Sequence, residues 1–136
     1  MNTKIISFLF AAFILLSFDS TAYIEVKPAA KWVRLGSRLV DYKLDKDVIN
    51  VGAKKGNFTK LKVQVTGGSL NMHKMVVHYM NGTKQDVNLK YNFKKGSGSR
   101  VIDINGGDRF IKKVVFVYDT KNLARAKAKV HLFGRR

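Results

Sequence analysis

The side chains with the greatest chemical reach in this chain are its cations. Arg125, Lys127, Lys129 and His131 alternate with Ala124, Ala126, Ala128 and Val130, and a period of two places all four on one face of an extended strand. Arg135 and Arg136 prolong that ridge, while Lys60 and Lys62 form a second alternating pair. Closely spaced ammonium and guanidinium groups attract phosphate, sulfate and carboxylate and concentrate polyanions near the surface. Arg125, Lys127, Lys129, Arg135, Arg136, Lys60 and Lys62 are therefore the candidate contacts for an anionic polymer. Lys54-Lys55, Lys94-Lys95 with Arg100, and Lys112-Lys113 add cations whose shared surface the linear order leaves open. The competing reading is that edge-strand lysines deter aggregation and a basic surface aids solubility.

Other chemistries fail on residue type. The chain has no Cys, which excludes disulfides, thiolate metal sites and a cysteine nucleophile. His73, His78 and His131 stand apart from any carboxylate spacing that would form a metal site or a hydrolase triad. No nucleophile elbow, phosphate loop or dinucleotide fingerprint is present, and past residue 22 the single Glu is Glu25. Asp41, Asp45 and Asp47 lack the ligand count and the Gly and Glu positions of a calcium loop, so they are expected to cap turns or face solvent. Asp103, Asp108 and Arg109 flank Gly106-Gly107 and suggest a turn held by an Asp–Arg pair. No catalytic residue, metal ligand or cofactor is assigned. Trp32, Tyr42, Tyr91 and Phe133 are the aromatics that could stack on bases or sugars beside the cations, although most aromatics in so small a domain are core.

The elements that must position these groups follow from composition and periodicity. Of 136 residues, 26 are Lys or Arg and 9 are Asp or Glu, with 46% hydrophobic; that is too apolar for disorder and too short for two ordinary domains. Residues 1–22 read as a secretory signal peptide: a basic start, an apolar run from Ile5 to Phe18 and small residues at Ser20 and Ala22. The run covers only about 21 Å as a helix, less than a bilayer core. Cleavage after Ala22 removes Lys4 and Asp19 and leaves the net charge at +17. No span is expected in the remaining chain, where 23–30 form a loosely attached segment and 31–136 the domain.

From Lys31 onward the period is two. Leu61, Val63 and Val65 alternate with Lys60, Lys62 and Gln64, and Met75, Val77 and Tyr79 oppose Val76, His78 and Met80. Asn81-Gly82 then predicts a type I′ hairpin turn within 74–93, with Val87, Leu89, Tyr91 and Phe93 returning. Further strands are expected at Trp32–Leu35, Arg38–Tyr42, Val48–Val51, Val101–Ile104, Phe110–Tyr118 and Ala124–Phe133. The segment Ile111–Val117 is apolar on both faces, as in a central strand covered on each side. About nine short strands predict an all-β, antiparallel two-sheet β-sandwich or jelly roll, with a small closed barrel as the alternative.

The strings Trp32-Val-Arg-Leu-Gly-Ser-Arg38, Asp45-Lys-Asp-Val-Ile-Asn-Val51, Phe58-Thr-Lys-Leu-Lys-Val-Gln-Val65 and Ile102-Asp-Ile-Asn-Gly-Gly-Asp-Arg-Phe-Ile111 resemble a family of small exported bacterial proteins. This is the uncharacterised YaaI-like domain-of-unknown-function family. The resemblance runs from Lys31 to Gly134. It implies export and an all-β fold, and it transfers no catalytic or binding residue; this chain departs from the family's type in its lack of Cys and its high positive charge.

The expectation is an exported, periplasmic or secreted, non-catalytic binding module, monomeric or weakly self-associating. Its expected partners are anionic polysaccharide, lipid head groups or extracellular nucleic acid bound without sequence specificity, since no recognition module for bases is legible. The alternative is a structural or protein-partner envelope domain recruited through an apolar patch or a sheet edge.

Overall fold

The computed structural model describes residues 31–40, 46–118 and 127–136, without the side chains of Lys90 and Tyr91. The expected signal peptide and 23–30 segment, together with Asp41, Tyr42, Asp45 and Arg125, lie outside the described residues.

Nine strands are described: β1 (Val33–Leu39), β2 (Lys46–Asn50), β3 (Asn57–Phe58), β4 (Lys60–Thr66), β5 (Leu70–Tyr79), β6 (Lys84–Phe93), β7 (Ile102–Asp103), β8 (Arg109–Tyr118) and β9 (Lys129–Arg135). They form two antiparallel sheets packed as a β-sandwich. The first has the order β1-β9-β4-β7 and the second β2-β8-β5-β6, with β3 also pairing with β8. Setting the two-residue β3 aside, the pairs nest: β1 with β9, β2 with β8, β4 with β7, and innermost the β5–β6 hairpin.

Alternation explains both layers. Leu61, Val63 and Val65 of β4 and Met75, Val77 and Tyr79 of β5 are buried, and they share one core with Leu35, Phe58, Phe93, Phe116, Val130 and Leu132. Each such side chain contributes about 1.5–3 kcal/mol by leaving water. The sheets approach closely where side chains vanish. A Cβ on Gly36 would come within 2.5 Å of Ile49 Cγ2 in the facing sheet, and one on Gly134 within 2.7 Å of Phe58 Cδ1. The chain changes sheets at Thr59, between β3 and β4, where its N–H donates to Arg135 C=O (2.9 Å) and its C=O accepts from Ile104 N–H (2.9 Å).

Several expectations change in detail. Trp32–Leu35 and Arg38–Tyr42 are not two strands; Gly36 sits inside β1, where the register with β9 shifts between Arg34 and Gly36. The hairpin turn is not type I′, because Gly82 has φ 88° and no described non-glycine residue has positive φ. Gly82 N–H donates to Tyr79 C=O (3.1 Å) and Tyr79 N–H to Thr83 C=O (2.9 Å), the pattern of a type I turn followed by a glycine bulge. Strand β8 is central, but no third layer covers its outer face among the described residues, and Val115 and Val117 are half-buried. Strand β9 lies between β1 and β4, so Lys129 does not guard an edge.

Side-chain bridges join the sheets at both flanks. On the β1–β2 side, Asp47, expected at a turn or in solvent, is a strand residue only 3% exposed. It accepts from Arg38 Nε (3.3 Å) and Tyr118 Oη (3.1 Å). On the β6–β7 side, Gln85 donates to Asp103 C=O (3.1 Å), accepts from Asn105 N–H (2.9 Å) and pairs with the Tyr79 hydroxyl.

Candidate anion-binding face

The outer face of the first sheet is built by strand register. Directly opposed residues share a face, and the pairs between β4 and β9 are Lys60↔Arg135, Lys62↔Phe133, Gln64↔His131 and Thr66↔Lys129. From β1, Arg34 pairs with Phe133, Ser37 with His131 and Leu39 with Lys129. Lys60, Lys62, Lys129 and Arg135 therefore share one surface. Lys127 is exposed immediately before β9. Arg136 departs from the ridge: it donates to Lys55 C=O (2.8 Å) and stacks over Phe58 (5.2 Å) at the end of the sandwich, beside the turn carrying Lys54 and Lys55.

The charges on this face are held by aromatic rings. Lys62 Nζ lies 4.4 Å from the Trp32 ring centroid and 5.8 Å from that of Phe133, and the Arg135 guanidinium lies 4.8 Å from Trp32. Cation–π contact of this kind is worth roughly 0.5–1 kcal/mol at an exposed site. It orients a cation without neutralising it. Only two ion pairs occur among the described residues, Arg38–Asp47 and Lys60–Asp103 (2.5 Å), so Lys62 and Arg135 have no carboxylate partner among them. Lys60 holds the Asp103 carboxyl below its ordinary pKa through its hydrogen bond and charge.

His131 does not act as a further cation in the ridge. It is 8% exposed, and Nδ1 accepts from Arg34 Nη2 (3.0 Å) and faces Ser37 Oγ (2.7 Å), while Nε2 meets Thr66 Oγ1 (2.7 Å). Arginine can only donate, so Nδ1 is the unprotonated nitrogen and Nε2–H donates to Thr66. Burial, then the charges of Arg34 and Lys129, hold its pKa below the ordinary histidine value. His131 is thus a neutral post that locks Arg34 onto the face.

The expected Asp–Arg pair at Gly106-Gly107 does not form. Arg109 lies over the Tyr79 ring (3.7 Å) and donates to Asn81 Oδ1 (3.0 Å), Thr83 Oγ1 (2.7 Å) and Asn105 C=O (3.3 Å), whereas Asp108 accepts from Asn57 (2.7 Å). It pins the hairpin turn to the loop before β8. Lys113 belongs to the opposite surface, on β8 across from His78.

The model of a family described as a domain of unknown function, DUF2541, matches residues 7–134. The chain belongs to the DUF2541 family. Searches of curated proteins and of solved structures find no match. The DUF2541 match covers the strands that build the basic face, up to Gly134, and its description names no activity, so residue roles rest on geometry. Arg34 is a cation of this face that the linear pattern does not single out. Its clue was Trp32-Val-Arg34, an aromatic and a cation two apart, but the bulge at Gly36 that keeps Arg34 outward and Leu35 inward has no local signature beyond the glycine.

Proposed function

We propose that this DUF2541 protein is an exported, non-catalytic binding module that takes anionic polymers on the outer face of its first sheet. The observation that carries the reading is the Trp32–Lys62–Phe133–Arg135 cluster: two cations held in place by rings, with no carboxylate partner among the described residues. An incoming anion meets charges already oriented and breaks no ion pair to reach them, which lowers the ordering cost of binding. Lys60, Arg34, Lys129 and Lys127 extend the positive strip along β4, β1 and β9. We read the nested strand pairing as a jelly roll, a fold that by itself assigns no role.

The test is binding of the purified protein to a sulfated polysaccharide, a polyuronate and single-stranded DNA across a salt series. Log affinity is expected to fall linearly with log salt. Lys62→Gln with Arg135→Gln should weaken binding to the preferred polymer and reduce the slope by about 2. Unchanged affinity and slope in the double variant would remove this face as the contact surface.

A further inference from the structure

The second sheet presents a different basic surface on its outer side. Across β8, β5 and β6, Lys113 stands directly opposite His78, and His78 directly opposite Lys84. Neighbouring strands lie about 4.7–4.9 Å apart, so the two lysines stand roughly 10 Å apart on either side of the His78 ring, which adds a directly opposed like charge only when it is protonated. Neither lysine takes part in the ion pairs among the described residues. The acid near this row is Asp86, opposite Val76 in the next outward-facing row, against Lys84, Lys112 and Lys113. Among the described residues the cations of this row outnumber the acids beside it.

Immediately beyond it lie two large apolar side chains in solvent. Met80 is 48% and Phe110 46% exposed, and Met80 N–H donates to Phe110 C=O (3.1 Å), which makes them neighbours at the strand ends. We propose that Lys84, His78 and Lys113, with Met80 and Phe110, form a docking surface for an anionic lipid bilayer. The ammonium groups meet headgroup phosphates, and the two apolar side chains enter the boundary between headgroups and acyl chains. A soluble polyanion would use the lysines and have no use for Met80 and Phe110. That pairing of unbalanced charge with exposed apolar bulk selects the lipid surface.

His78 makes the docking pH-sensitive. The groups facing its ring are Lys84 and Asp86 on β6 and Lys112 and Lys113 on β8. Burial first, then Lys113, Lys84 and Lys112, hold its pKa below the ordinary value, and Asp86 opposes them weakly. Phosphates that neutralise the lysines relieve that repulsion and favour the protonated ring, so binding and protonation reinforce one another.

The experiment is partitioning of the purified protein between buffer and vesicles of phosphatidylglycerol mixed with phosphatidylcholine, or of phosphatidylcholine alone, at neutral and mildly acidic pH. Preference for the anionic vesicles is expected, rising on acidification. Lys84→Gln with Lys113→Gln should lower partitioning roughly five-fold per lysine removed, and His78→Gln should abolish the acid enhancement. Met80→Ser with Phe110→Ser should reduce vesicle partitioning and leave polymer binding by the other face unchanged. Equal partitioning into both vesicle types, no loss in the Met80/Phe110 variant, or displacement by inorganic phosphate would overturn the proposal. So would vesicle binding that is lost with Lys62 and Arg135 but not with Lys84 and Lys113. Because the polymer assay and the vesicle assay address opposite faces, either reading can fail without the other.

Discussion

The two outer faces of this sandwich carry the same sign of charge and hold it in different ways. On the first sheet, Lys62 and Arg135 rest on Trp32 and Phe133, and a neutral His131 anchors Arg34. On the second, Lys113 and Lys84 flank His78 with no ring contact or ion pair among the described residues, and the large apolar side chains nearby, Met80 and Phe110, are left in solvent. Cations braced by rings are ordered before a ligand arrives, which suits recognition of a polymer's spaced charges. Cations that repel one another gain most from an extended anionic surface. Net charge alone cannot distinguish these cases; the company each cation keeps does.

The largest effect available is on what the faces share. Phe58 is fully buried beneath Gly134, and Phe58→Ala is expected to cost about 3–5 kcal/mol in urea unfolding. Both binding activities should fall together with the folded fraction; loss of one alone would mean the faces are not supported by a common core. Next comes the flank that ties the sheets together. Asp47→Ala removes the buried acceptor of Tyr118 Oη and Arg38 Nε, at a cost of about 1–3 kcal/mol, measured as a lower unfolding midpoint with little change in relative preference between polymer and vesicle.

A smaller and more selective change is Trp32→Ala. Losing the ring under Lys62 and Arg135 should reduce polymer affinity by about two- to five-fold, equivalent to roughly 0.5–1 kcal/mol, with vesicle partitioning unaltered. Equal loss in both assays would erase the distinction drawn between the faces. The finest discrimination is by pH. His131 and His78 both have pKa values lowered in the fold, so the unfolded chain takes up protons first. Their stabilisation is full above the ordinary histidine value, about 6.5, and is lost as pH falls through it toward the lowered native values. Burial is the first cause at both sites and should persist at high salt; salt should shrink only the parts due to neighbouring cations, Lys113, Lys84 and Lys112 at His78 and Arg34 and Lys129 at His131. The contribution of His131 should disappear in His131→Gln. Unfolding free energies at several pH and salt values check both.

Much of the fold was legible because it is local. The inward set Leu61, Val63, Val65 and the outward set Lys60, Lys62, Gln64 follow from a period of two, and the β5–β6 hairpin follows from two such runs around Asn81-Gly82. The turn type was missed because Asn81-Gly82 suits both a type I′ turn and a type I turn with a glycine bulge. Gly36 was taken for a strand break because a glycine marks a turn, a bulge or a close approach equally well; Ile49 in the facing sheet decides it. Of the seven candidate cations, Arg125 lies outside the described residues. Lys60, Lys62, Lys129 and Arg135 converge, with Lys127 exposed beside them, and Arg136 turns to the end of the sandwich.

Alternation and composition determined by themselves that the chain is all-β, which side chains face the core and that the surface is strongly basic, because these depend on residue type and a spacing of two. Which cations are neighbours was decided only by tertiary structure. Lys60 meets Arg135, and Trp32 covers both Lys62 and Arg135, through pairings between strands remote in the chain. Such register is set by the joint packing of two sheets over one core, and no local segment carries it.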